Sequence, residues 1–356
     1  MNIPLTRISF GMIVLNGEPF IKYNLQSLYP HAHEIIIVEG AVEKFAHAAT
    51  SDGHSVDDTV SIIKLFPDPE NKIKLIQKEG FWSEKDEMSN AYMEACTGNY
   101  IWQVDVDEFY KASDIEAIRT ILINDQDITR VDFKSVCFLR SFNARVLGAT
   151  FIYGADEFIR IFAFRPGYRY VTHRPPTLSD EIGVPFVHKK ILRADDLEKI
   201  GIVQYHYSYV IKNYVEGKAQ YYSKMGWGGG HDDGLHWFRE EWCNLKNPLR
   251  VHLQNFPPSW IVPYNGKHPD AVIRMMEDIN YKEDPEISSF LKKEYCKYKR
   301  AGQNICKALR MRRNGQIGKA KVIYTCLRHL LLPVNSRAIN ANKSIIFSAF
   351  KILMRG

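Results

Sequence analysis

Apolar runs and amphipathic stretches alternate along the first hundred or so residues, and the pattern predicts strand following helix. Residues 8–15 (ISFGMIVL) are apolar and partly β-branched, and after Asn16-Gly17 a helical pattern covers 18–28. Residues 34–38 (EIIIV) form a short, continuous apolar run of the kind buried on both faces of a sheet. A short helix over 57–65 and a strand over 72–77 follow. Ser83, with Asp86 three positions on, is a variant capping box that opens a helix with the stripe Met88, Ala91, Tyr92 and Ala95. Gly98 ends that helix, and 100–104 reads as the next strand. Such alternation implies a parallel sheet with helices on its faces, where ligands bind beyond the carboxyl ends of the strands. Chemistry is therefore expected just after Val14, Val38 and Val104.

Beyond a helix at 113–124 the pattern changes. Residues 130–139 alternate, 158–164 (FIRIFAF) read as a strand, and 172–185 form a loop rich in proline and charge. A helix over 207–223 leads into the glycine-rich stretch 226–230. These are mixed-sheet strands and long loops, which shape a pocket for a second substrate.

The sharpest chemical signal is Trp102-Gln-Val-Asp105-Val-Asp107-Glu-Phe-Tyr110, with three carboxylates at the expected end of a buried strand. Strand alternation would put Asp105 and Asp107 on one side, within reach of one ion. Hard divalent cations take such oxygen ligands, Mg²⁺ in particular with one or two carboxylates plus substrate phosphates.

Three segments resemble the glycosyltransferases of the GT-A fold, family 2 type, over about residues 6–225: the opening ISFGMIVLNGE of 8–18, EIIIVEG of 34–40, and GNYIWQVDVD of 98–107. The resemblance implies an α/β, Rossmann-like GT-A fold with a mixed, mainly parallel sheet flanked by helices. It implies a nucleotide-sugar donor, a hydroxyl acceptor on a saccharide or lipid-linked molecule, Mn²⁺ or Mg²⁺, and inversion at the anomeric carbon. Asp105 and Asp107 then hold the metal, with His206 in VQYHYSY as a further ligand and His173 as an alternative in the acceptor loop. Glu39, Asp57, Lys85 and Asp105 bind the nucleotide sugar, and Arg174 and Lys224 are candidate diphosphate contacts. The general base falls to Asp156 or Glu157, with Asp180, Glu181 and Glu108 as alternatives. The chain departs from the family after the second strand, where Glu39-Gly40-Ala41 and an insertion replace an acidic-Gly-Ser segment. It departs again in the helix before the carboxylates, where Ser89-Asn90 stands for Arg-Asn. The loop clusters 231–233 (HDD) and 268–270 (HPD) lack helical metal-ligand spacing, and Trp227 among the glycines is a packing or lid residue.

Composition bounds the remainder. The chain has 356 residues, with 45% hydrophobic and 25% charged, which are globular proportions. Residues 297–356 hold 14 Lys and Arg and no Asp or Glu, leaving 33 basic against 41 acidic side chains in the first 296. That basic, amphipathic helical extension points to an anionic membrane surface, or else caps the body. Few aromatics interleave with its charges, which argues against nucleic acid. Six scattered cysteines without a CxxC pair fit neither a disulfide framework nor a zinc site. With no apolar run near the ~20 residues of a membrane span and no signal-peptide pattern, the expected place is the cytoplasm, peripheral on the inner membrane face. The expected organisation is a nucleotide-sugar half at 1–128, an acceptor half at 129–235, an accessory segment at 236–296 and the basic tail at 297–356. Two rivals are a metal-dependent nucleotidyltransferase, whose Gly-rich basic first loop is not matched by LNGE at 15–18, and a non-enzymatic binding protein driven by the tail.

Overall fold

A computed structural model of the chain describes residues 6–148, 157–224, 234–245 and 259–293. The chain divides into two compact units, residues 1–138, 157–235 and 266–282 in the first, and 139–156, 236–265 and 283–356 in the second.

The strands in order are β1 (Ile8–Val14), β2 (Glu34–Glu39), β3 (Ile73–Ile76), β4 (Tyr100–Gln103), β5 (Glu108–Phe109), β6 (Ile128–Leu139), β7 (Ala144–Gly148), β8 (Glu157–Ala163), β9 (Arg169–Thr172), β10 (Thr177–Ser179), β11 (Lys190–Leu192), β12 (Gln204–Tyr209) and β13 (Ser259–Pro263). In the first unit the sheet order is β3-β2-β1-β4-β8-β6, with β11 also paired to β6. β1 runs parallel to β2 and β4, β2 parallel to β3, and β11 parallel to β6. β8 is antiparallel to both β4 and β6, so among these seven strands it alone is reversed. This is the mixed, mainly parallel α/β sheet that the sequence pattern implies.

Helices α1 (Phe20–Leu28), α2 (Thr59–Leu65), α3 (Lys85–Ala95) and α4 (Ala112–Asn124) connect these strands. They are followed by α5 (Ala194–Lys199), α6 (Lys212–Lys224) and α7 (Asp270–Asp278). All six residues of β2 are buried, as its apolar run requires. Burial alone would raise the Glu34 carboxyl, but Lys74 at 2.6 Å and hydrogen bonds from Ser9 and Thr97 bring it down to about 2. α3 lies close on β1 because Gly11 has no side chain, and a Cβ there would meet the Tyr92 ring at 2.7 Å. Beneath the sheet's carboxyl ends, Trp102 stacks against Phe133 at 5.5 Å and lies tilted on Phe10 at 5.3 Å. In the second unit β7 and β13 pair antiparallel, from Ser259 opposite Gly148 to Pro263 opposite Ala144. Arg140 there donates to Cys243 O at 2.7 Å and pairs with Asp284 at 2.8 Å.

Four local expectations are corrected. The helix expected over 207–223 starts at Lys212, and Gln204–Tyr209 is a strand, because QYHYSY alternates at period two and pairs with β5. The expected capping box is not formed: Ser83 N and Oγ bond Glu87 Oε2 at 2.6 and 2.7 Å, while Asp86 accepts the His173 N–H. The loop expected over 172–185 contains strand β10, paired with β9. β4 ends at Gln103, so Asp105 and Asp107 sit in a turn, where strand alternation does not govern their side chains. Asp156, the glycine-rich stretch with Trp227, the 231–233 cluster and the basic tail lie outside the described residues. No helix among the described residues is long and apolar enough to cross a membrane.

Candidate active site

The turn from Val104 to Asp107 follows β4 at its carboxyl end, where a parallel sheet leaves ligand space. Two features hold its shape. The two-residue ladder of β5 with β12 sets Glu108 opposite His206 and Phe109 opposite Tyr205, and Tyr207 N donates to Asp107 O at 3.0 Å. From α1, the buried Asn24 amide points its Nδ2 at the carbonyls of Asp105, Val106 and Glu108, at 3.4, 3.1 and 2.8 Å. One side chain thus satisfies a turn that has no ladder partner of its own.

Each carboxylate is matched by cations from distant segments. Arg174, half-exposed in the β9–β10 turn, contacts Asp105 Oδ2, and Arg160 Nη2 lies 3.8 Å from the same oxygen. Burial would raise the Asp105 carboxyl, but these guanidinium groups hold it well below the usual range. Asp107 is 1% exposed and accepts from Lys218 Nζ at 2.6 Å and Tyr214 OH at 3.2 Å, both on α6. His206 Nε2 is 3.4 Å from its other oxygen. Against burial, Lys218 and His206 keep Asp107 ionised. Burial also opposes charge on His206, yet Cys137, 3.3 Å from Nδ1, and Asp107 outweigh it and hold the imidazole well above its ordinary pKa. Glu108 is buried in a two-pronged pair with Arg160, whose Nε lies at 2.9 Å and whose Nη2 meets the second oxygen. That pair makes Glu108 a fixed counter-ion rather than a base with a free lone pair.

Two further groups face the turn. Lys85, at the start of α3, has no carboxylate in ion-pair range among the described residues, and its Nζ sits 5.4 Å from the Tyr221 ring centroid. Burial and the nearby Arg174 push it down to about 8. His173 is buried with Nδ1 2.8 Å from Ser89 Oγ, and burial lowers it to about 3, so it is neutral and points to Ser89 rather than to the carboxylates.

The structure therefore brings Lys85, Asp105, Asp107, His206 and Arg174 into one neighbourhood. Glu39 lies apart, at the end of β2, with its carboxylate already engaged. Oε1 accepts from Ser55 N and Oγ at 2.7 and 2.8 Å, while Oε2 contacts His54 Nδ1 at 2.8 Å and accepts from Gln77 Nε2 at 2.7 Å. Gly53 makes that loop possible: its φ is +88°, and a Cβ would meet Gly80 O at 2.1 Å. Asp57 accepts from Glu18 N and Thr59 N, both at 3.0 Å, and so ties the β1–α1 turn to the start of α2. Glu157, at the start of β8, pairs with Lys134 at 3.1 Å. Asp180 caps its own turn through Ile182 N and Val184 N, and His268 contacts Tyr207 OH at 2.8 Å rather than forming a metal cluster. The Lys224 side chain lies outside the described set.

Sequence reasoning missed Lys218, Tyr214, Arg160 and Asn24. Lys218 and Tyr214 share one face of α6 at i and i+4, a signal legible only after the strand before them is recognised.

Among the described residues no three His, Cys, Asp or Glu side chains gather into a metal cluster. The donor set still suits a hard divalent cation, because Asp105 and Asp107 are ionised oxygen donors two residues apart in one turn. Such an ion would need its remaining ligands from outside the protein, as phosphate oxygens can supply.

No protein-family model matches the chain, and no curated relative does. Among solved structures, the chain is similar to S. aureus TarS 1-349, with 11% identity over 69% of this chain and 74% of that one, at a TM-score of 0.34. It is also similar to glucosyl-3-phosphoglycerate synthase from Mycobacterium tuberculosis in complex with Mn²⁺, uridine diphosphate and phosphoglyceric acid. That match has 18% identity and a TM-score of 0.27, and it spans 37% of this chain and 43% of the synthase, less than half its length.

Proposed function

We propose that the protein is a metal-dependent glycosyltransferase of the GT-A type, moving a sugar from a nucleoside-diphosphate donor to a hydroxyl on a saccharide or lipid-linked acceptor. One observation carries this reading: two ionised carboxylates at the carboxyl end of β4 are ringed by Arg160, Arg174, Lys218 and Lys85. Carboxylates for a cation beside several cations for an anion suit a metal–diphosphate pair better than either partner alone.

In this reading Asp105 and Asp107 would hold Mn²⁺ or Mg²⁺, with His206 beside Asp107 as a further ligand once it gives up the proton that Cys137 and Asp107 favour. When bound, the metal neutralises charge on the leaving diphosphate. Arg174 and Lys218 offset the carboxylates and would turn to the diphosphate oxygens of a bound donor. Lys85, with no carboxylate partner among the described residues, is the group best able to meet an incoming phosphate. The loop held by Glu39 carries the nucleoside, so Glu39 acts by positioning His54 and Ser55. The segment entering β8, Asp156-Glu157, supplies the base that takes the acceptor proton, giving inversion at the anomeric carbon.

The test is a panel of nucleotide sugars with purified protein, in Mn²⁺, Mg²⁺ or EDTA, for wild type and Asp107→Ala. Metal-dependent release of a nucleoside diphosphate from one donor, lost in the variant, supports the reading. Calorimetry showing no nucleoside diphosphate binding, with or without metal, would sink it.

A further inference from the structure

The β9–β10 hairpin has a second face that the candidate site does not use. β10 pairs with β9, with Leu178 opposite Tyr170, and on its other side Phe186 N donates to Leu178 O at 2.9 Å and Asp180 N to Val184 O at 3.0 Å. Tyr170, Leu178 and Phe186 point inward and belong to a core cluster with Tyr92 and Phe162. Period two then turns Val171 and Val187 outward. They are 54% and 76% exposed, and Ile182 and Val184 at the adjoining turn are 86% and 48% exposed. Four of the eight large apolar side chains left exposed among the described residues thus fall between 171 and 187, where chance scatter would spread them.

Charge around this face is mainly basic. Arg165, Arg169, Lys189 and Lys190 are exposed at its edges. Lys189 and Lys190 pair with Asp127 and Asp125, whereas Arg165 and Arg169 form no ion pair among the described residues. Of the two acids on the hairpin, Asp180 is occupied by the backbone of its own turn, and Glu181 is exposed beside Ile182. A cavity of about 220 Å³, bordered by Arg165, Lys189, Asn99, Gln126 and Thr129, opens beside the same edge. It is polar, carries two cations, and is roomy enough for a small anionic headgroup.

We propose that this face of the hairpin, from Val171 to Val187, docks on an anionic lipid surface. The exposed side chains are aliphatic and Ile182 stands at a turn, whereas a protein partner would call for a groove or for aromatic anchors. Aliphatic side chains at an exposed turn, with Arg169 and the Phe186-stacked Arg165 at the edge of the face and in no ion pair among the described residues, match a bilayer's apolar interior and negative headgroups. The inference stands apart from the enzymatic reading. It also lends that reading a geometry, because the opposite end of the hairpin carries Arg174 onto Asp105.

Co-sedimentation of the full chain with phosphatidylglycerol-containing vesicles, against pure phosphatidylcholine, tests the proposal. Ile182→Asp/Val187→Asp should weaken vesicle binding by at least ~10-fold. Arg165→Gln/Arg169→Gln should weaken it roughly 5- to 10-fold and flatten its salt dependence. In an Ile182→Trp variant, the new indole emission should shift to the blue on adding anionic vesicles. Urea midpoints equal to wild type show that each variant is folded. Vesicle binding unchanged in the Asp variant would overturn the proposal and assign membrane affinity to residues 297–356. Concentration-dependent self-association abolished by the Asp variant, without vesicle binding, would overturn it in favour of a second copy of the chain.

Discussion

Replacing Asn24 tests whether the carboxylate turn owes its shape to one amide. Asn24 is 1% exposed, and its Nδ2 serves the carbonyls of Val106 and Glu108 at 3.1 and 2.8 Å, with Asp105 O more distant at 3.4 Å. Its own Oδ1 finds no partner, so the side chain is kept for its donor alone. Asn24→Ala removes two good hydrogen bonds, about 2 kcal/mol together, and strands buried carbonyls at a cost of ~1–2 kcal/mol more. Relief of the orphaned Oδ1 returns roughly 1 kcal/mol, so the expected loss is about 2–3 kcal/mol. Asn24→Asp keeps the shape but aims an oxygen at three carbonyl oxygens, and should cost more than Ala at neutral pH. Urea unfolding followed by tryptophan emission reads both losses, and calorimetry of nucleoside diphosphate with Mn²⁺ reads the site. An Asp variant as stable as the Ala variant, or an Ala variant within ~0.5 kcal/mol of wild type, would refute the argument that donation to this turn is what Asn24 does.

The remaining predictions concern the site's charges and its loop. Because the Lys85 pKa is lowered to about 8, its charge is present below that pH and lost above it. Diphosphate binding should therefore weaken as pH rises through about 8, with proton uptake in calorimetry near that pH, and Lys85→Arg should keep its affinity to higher pH. Arg160→Met leaves Glu108 buried and unpaired, and should cost about 3–5 kcal/mol in urea unfolding, part of it recovered by adding Glu108→Gln. Asp107→Asn should destabilise the chain by exposing Lys218 to an uncompensated environment, and the double variant with Lys218→Met should lose less than the sum of the two single changes. Gly53→Ala forces a Cβ onto Gly80 O in a left-handed backbone, and should abolish nucleotide binding before it unfolds the sheet, seen as lost calorimetric heat with a retained circular dichroism spectrum.

What could be read from the sequence divides along a physical line. β1, β2 and the helix of Met88 and Tyr92 were legible because burial imposes a period on neighbouring residues. The carboxylates of Asp105 and Asp107 were legible because ligand chemistry concentrates at strand ends. Two of their neutralising partners were not, since Arg160 and Lys218 come from 52 and 111 residues away and no local pattern marks a side chain by the charge it will meet. The family resemblance makes Glu39 a nucleotide-sugar contact, whereas its role in anchoring a loop shows only in its bonds to His54, Ser55 and Gln77. His206 was expected at a strand end, but the alternation of QYHYSY carries the strand to Tyr209.

The two-residue ladder between β5 and β12 joins Phe109 to Tyr205 and Glu108 to His206. Closing it brings together segments nearly a hundred residues apart, so the loop entropy must be met before any reward from the contact is collected. During synthesis the turn bearing Asp105, Asp107 and Glu108 emerges first, Arg160 and Arg174 follow, and Lys218, the ammonium on Asp107, comes later still. A nascent chain stalled before residue 200 should already hold β1 to β4 and pair Glu108 with Arg160, yet leave Asp107 without its ammonium partner. Arrival of α6 then supplies the ammonium that neutralises Asp107.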